Sequence, residues 1–236
     1  TGPVVDVFFG FRRHSSSGLV MDGSFGMGKE DLGFGFLAPE YSGFEDSSIV
    51  ILPVCYDQTS TWVKGADKGP PAIIDASANL EFYDIETDSE VYLRGIYTAL
   101  AVGEGLYPED MVEVVRNKVS GYIERGKYVV VLGGEHSVSI GAVAAHAEAY
   151  EDLTVLHLDA HADLREEYEG SKYNHACVAA RIKQYCPIVQ VGIRSMDSSE
   201  KDSLDRERVF FAEEIKGRSD WMEEVVERLV GSVYVT

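Results

Sequence analysis

Asp159, His161 and Asp163 stand at alternate positions of LHLDAHADLR, spaced by Ala160 and Ala162 and placed directly after the apolar run TVLHL. On an extended segment alternate side chains share one side, so the two carboxylates and the imidazole can converge while the alanines point away. Such a group at a strand end repels or desolvates itself unless a cation lies within it. A second cluster has the same setting, because YVVVLGG runs into Glu135 and His136. His136, Asp159, His161 and Asp163 together offer nitrogen and oxygen donors without a thiolate. That set suits manganese, zinc, iron or cobalt, with manganese or iron favoured over zinc because oxygen donors are plentiful. Asp159 or Asp163 could bridge two ions through its two oxygens, and an ion pair would make water a competent nucleophile near neutral pH.

Other groups read more plainly. His157 in the strand run and His146 in a helical stretch read as buried, hydrogen-bonded structural residues, and His14 takes no role. Ser137 beside His136 makes no hydrolase pair, since no G-x-S-x-G turn occurs and adjacent side chains diverge. GSFGMGKE, Gly23 to Glu30, fits seven positions of a phosphate loop but sets Glu30 where a hydroxyl is needed, so it reads as a glycine-rich loop.

The elements that must position these groups alternate along the chain. SIVILPV, KYVVVLGG, LTVLHLD, IVQVGI and SVYVT read as strands, the first two continuously apolar as in strands buried on both faces. GPPAIIDASANLEFYD reads as a helix with prolines in its first turn. EDMVEVVRNKVSGYIERG has apolar residues near helical spacing and stops at Gly126. VSIGAVAAHAEAY reads as a small-residue helix, and SDWMEEVVERLVG as an amphipathic one capped by Ser219 or Asp220. Such alternation implies a single α/β domain, a mostly parallel sheet with helices on both faces. Reactive groups then collect at the carboxyl ends of the strands, and the strands carrying residues 136 and 159 should be neighbours. Residues 1–45, rich in glycine and phenylalanine, show no sustained period and form an irregular segment before a domain spanning 46–236.

Bulk properties narrow the partners. The 236 residues leave room for one full core, and the 45% hydrophobic content sets disorder aside. No apolar run is long enough to cross a membrane. The net charge of −19 opposes binding to nucleic acid and is compatible with a cationic small-molecule substrate. The opening residues lack the order of a secretory signal and lack an initiator methionine, so the expectation is a chain that begins inside a longer protein. Cys55, Cys177 and Cys186 form no C-x-x-C pair and are odd in number, which points to a reducing cytoplasm.

GGEHSVSIG, LHLDAHADLR and QVGIRS, in that order, resemble the successive signatures of the ureohydrolases, the arginase and agmatinase family, and GADKGPPAIIDAS is similar to the family's amino-terminal motif. The resemblance implies an arginase/deacetylase-like fold and two manganese ions, with His136 and Asp163 on one, His161 on the other and Asp159 bridging. It implies that His175, in YNHAC, shuttles a proton, and that Glu200 faces the substrate. DLREEYEGSKYNHAC and GIRS look like agmatinases, so the implied reaction is agmatine to putrescine and urea. Arginine, guanidinobutyrate and formiminoglutamate are the alternative substrates, and a catalytically inactive metal-binding relative is the alternative class. Family members commonly form homo-oligomers, trimers or hexamers. The third metal motif, S-x-D-x-D, is reached only at its first position, with Thr236 replacing Ser. The resemblance therefore implies a fragment lacking its last carboxy-terminal elements, keeping four of six protein ligands, binding metal weakly and showing little activity alone.

Overall fold

The computed structural model describes residues 33–236; the phosphate-loop-like stretch at 23–30 and His14 lie outside them. The described elements, in chain order, begin with helix α1 (Pro39–Ser42), strand β1 (Ile49–Val54) and helix α2 (Gly69–Ala76). A short hairpin, β2 (Tyr83–Asp84) with β3 (Ser89–Glu90), leads to β4 (Ile96–Thr98), α3 (Pro108–Ile123), β5 (Tyr128–Gly133) and α4 (Val138–Ala149). Then come β6 (Thr154–Leu158), α5 (Val178–Ile182), β7 (Ile188–Ile193), β8 (Val209–Phe211), α6 (Ala212–Ile215), α7 (Trp221–Arg228) and β9 (Val233–Val235).

The fold is α/β, with parallel sheets and flanking helices. The strands form two parallel ladders, β4-β1-β5 and β8-β7-β6-β9. In register, Ile49 to Val54 pair with Tyr128 to Gly133, and Val155 to Leu158 pair with Ile188 to Val191. The β5 and β6 ends are thus not hydrogen-bonded neighbours, contrary to the sequence expectation, because β6 lies between β7 and β9. What joins them is α4, which follows β5, leads into β6 and is buried from Val138 to Ala145. Its small residues let α3 approach: a Cβ at Gly141 would stand 2.3 Å from the Val112 carbonyl oxygen. Val50, Leu52, Met111, Val115, Ile140, Val143 and Val155 fill the core between sheet and helices.

Local chemistry sets several boundaries. Proline opens α3 in its first turn, where the missing N–H costs nothing. The helix expected from Gly69 to Asp84 ends at Ala76 and tightens into a 3₁₀ turn at Ser77–Asn79. The Ser77 hydroxyl donates to the Ile74 carbonyl oxygen and accepts from the Gly35 N–H at 2.7 Å. Residues 33–45 accordingly pack on the domain rather than forming a separate irregular segment, and Lys127 Nζ donates to the Phe44 and Ser47 carbonyl oxygens at 2.7 and 2.6 Å. No helix among the described residues is long and apolar enough to cross a membrane.

Candidate metal centre

β5 ends against β1 with no room to spare. The Gly134 N–H donates to the Val54 carbonyl oxygen and the Glu135 N–H to that of Tyr56. A Cβ on Gly134 would lie 1.9 Å from the Tyr56 oxygen, so only glycine fits there. Beyond this contact the chain turns and presents His136, whose Nδ1 lies 2.7 Å from Asp163 Oδ2 and 3.5 Å from Asp159 Oδ2. Its Nε2 faces the Thr236 hydroxyl at 3.3 Å. Asp163 reaches this point because its backbone is left-handed, with φ of 50°, and the chain is no longer extended where alternation alone would place it.

The two oxygens of Asp159 look in different directions. Oδ2 faces His136 and, at 3.3 Å, His157 Nε2; Oδ1 accepts from the His161 N–H at 2.8 Å and lies 3.2 Å from His161 Nδ1. His136, His157, Asp159 and Asp163 each offer one donor atom, all within 4.8 Å of one another. His161 is outside that group, and its side chain is 64% exposed. His157 is fully buried and hydrogen-bonded, and its ring stacks on that of His136.

Burial disfavours a charged His136, but its contacts with Asp163 and Asp159 outweigh this and raise its pKa above the usual value. Burial works against ionised Asp159 too, yet hydrogen bonds from His157 and the His161 backbone, with His136 nearby, hold its carboxyl below the usual range. One imidazole nitrogen faces two carboxylates and can bring only one proton, so net negative charge stays concentrated there. These residues fit a divalent cation.

Around the centre, hydroxyls and backbone amides set the remaining side chains. Thr59, on the loop after β1, donates to Glu135 Oε1 at 2.7 Å, while its oxygen lies 3.0 Å from the His175 N–H and 3.3 Å from His175 Nδ1. Glu135 also accepts from the Ser137 N–H and hydroxyl, both at 2.8 Å. Glu200 is 3% exposed; Oε1 accepts from the Leu164 N–H at 2.7 Å and Oε2 from the Asp197 N–H. It ties the segment after β7 to the segment after β6 and also lines the cavity. That cavity, about 560 Å³, carries the carboxylates Glu135, Asp159, Asp163, Asp197 and Glu200 against one arginine, Arg165. On its rim Trp62 is 94% exposed. The loop bearing Trp62 is closed at its base, where Asp57 Oδ2 accepts from the Gly65 and Ala66 N–H groups.

Sequence reasoning passed over Thr59 and Gln190, neutral side chains remote from the histidine motifs. Gln190 opens the QVGIRS stretch but takes no role from it; strand register, which sets it opposite His157, supplies one.

The model of the Arginase family matches residues 47–236. The N(1)-aminopropylagmatine ureohydrolase of Synechocystis sp. is 35% identical over 196 residues, which are 78% of this chain and 64% of that protein. The protein of the same name from Thermus thermophilus is 38% identical over 201 residues, 82% of this chain and 67% of that one. The chain thus spans about two thirds of the length of these curated relatives. The crystal structure of agmatine ureohydrolase of Thermoplasma volcanium superposes with a TM-score of 0.76 at 32% identity, covering 84% of this chain and 69% of that one.

Proposed function

The chain belongs to the arginase family, and from that premise we propose that it is the core of an enzyme hydrolysing a cationic guanidino compound to urea and an amine, with two manganese ions as cofactor. The convergence of His136 Nδ1 with Asp163 and Asp159 carries the proposal. Asp159 is suited to bridge, because Oδ2 looks toward His136 and Asp163 while Oδ1 looks toward His161. When bound, the ions would supply a water-derived nucleophile near neutral pH.

The protein's own groups do the rest. Glu135, as a carboxylate, only accepts, so the Thr59 hydroxyl proton points to it and the Thr59 oxygen must accept from His175. The ring proton then sits on Nδ1 of His175, leaving Nε2 free to take a proton and deliver it to the departing nitrogen. Five carboxylates against one arginine in the cavity favour a cationic substrate over one with an α-carboxylate. Glu200 contributes to that field while holding two loops together.

Agmatine is the first candidate substrate. The names of the two relatives favour a second, agmatine extended by an aminopropyl group, and the open cavity leaves space for it. Urea release from full-length, manganese-loaded protein, assayed with agmatine, aminopropylagmatine, arginine and guanidinobutyrate, tests the proposal. Turnover confined to the carboxylate-free pair is expected. Preference for arginine, or no urea from any of them, would sink it. Assembly as a homo-oligomer and a cytoplasmic location remain part of the same proposal.

A further inference from the structure

Gln190 and His157 face one another across the β6–β7 register, and both are buried. The Gln190 amide nitrogen donates to the Ala162 carbonyl oxygen at 2.8 Å; a carbonyl only accepts, so this contact settles which way the amide points. The second hydrogen of that nitrogen faces His157 Nδ1 at 3.0 Å. Nδ1 is therefore the accepting nitrogen, and the ring proton resides on Nε2, 3.3 Å from Asp159 Oδ2. The opposite oxygen, Oδ1, is held by the His161 N–H at 2.8 Å. Each oxygen of Asp159 thus receives one N–H and keeps lone pairs directed at the centre.

We propose that Gln190 and His157 are positioning residues for the metal centre: Gln190 fixes the His157 tautomer, and His157 Nε2–H fixes the plane of Asp159. His157 is then not a ligand, although its ring lies among the ligand atoms. Supporting shells of this kind orient a ligating carboxylate and are costly to remove. The effect on metal rests on the manganese proposal above, whereas the tautomer stands apart from it.

The tautomer is read by long-range nitrogen–proton NMR on ¹⁵N-histidine-labelled, metal-free chain, and manganese affinity by paramagnetic resonance of the free ion. In the unaltered protein His157 is expected with protonated Nε2 and bare Nδ1. Gln190→Leu should abolish that preference, and Gln190→Leu and His157→Phe should each weaken manganese binding about 10- to 100-fold. His157→Gln, whose amide nitrogen falls near the position of Nε2, should recover most of the loss. A bare Nε2 in the unaltered protein, or affinities unchanged in folded Gln190→Leu and His157→Phe, overturns the inference. If the unaltered chain binds no manganese, the metal proposal falls, and the tautomer comparison still decides whether Gln190 sets the ring.

Discussion

Asp163 must be left-handed to meet His136, and this separates its chemistry from its backbone. Asparagine tolerates that conformation, whereas alanine carries a penalty of about 1–2 kcal/mol. Asp163→Asn should therefore cost metal-free protein less stability in urea than Asp163→Ala does, while both lose manganese. Thr59→Val removes the hydroxyl that orients His175; turnover should fall about tenfold or more with little change in KM, as expected for a group needed in proton transfer. The titration of the centre has a defined sign. The raised pKa of His136 contributes stability that is complete below its ordinary value of 6.5 and is lost as pH rises through the raised value. The depressed pKa of Asp159 contributes stability present above 3.8 and lost as pH falls toward its lowered value. Metal-free protein should hence be more stable near pH 5 than near pH 8. Manganese must displace the His136 proton, so its affinity should rise across the same interval, and calorimetry in buffers of different ionisation enthalpy would register the released proton.

Among the elements, the α3–α4 contact offers a test of packing. Gly141→Ala would press a methyl against the Val112 carbonyl oxygen and should cost about 1–3 kcal/mol, lowering Tm by about 5 °C. The same interior explains what was readable beforehand. β1 and β7 are buried along almost their whole length and show as apolar runs; β5, where Val129 alone is buried, and β6 show by apolar sequence rather than by continuous burial; and α3 shows because one face is buried and the other wet. β4 and β8 have three residues each, too short for any period to emerge from IYT or VFF. α2 was read eight residues too long, since its stop depends on a serine bonding to a distant segment. For the centre, the convergence of residues 136, 159 and 163 follows from their spacing, whereas Thr59 comes from the loop after β1 and Gln190 from β7, and only folding brings them in.

At the scale of the whole molecule, the sequence carries 40 acidic residues against 21 basic ones, and the cavity has the same sign. A doubly charged guanidino amine should be drawn in by that field, so its kcat/KM should fall several-fold between low and high ionic strength, while that of guanidinobutyrate should change less. Stopped-flow or steady-state rates across a salt series would show it. The crowding at Gly134 has a mechanical result. With no room for a methyl between the Gly134 backbone and Tyr56, the chain leaving β1 and the chain leaving β5 are locked as one stiff jaw, and breathing of the pocket falls to the exposed tip around Trp62. Amide exchange should then be fast at Thr61 and Val63 and slow at Gly134 and Glu135, whether or not the pocket is filled.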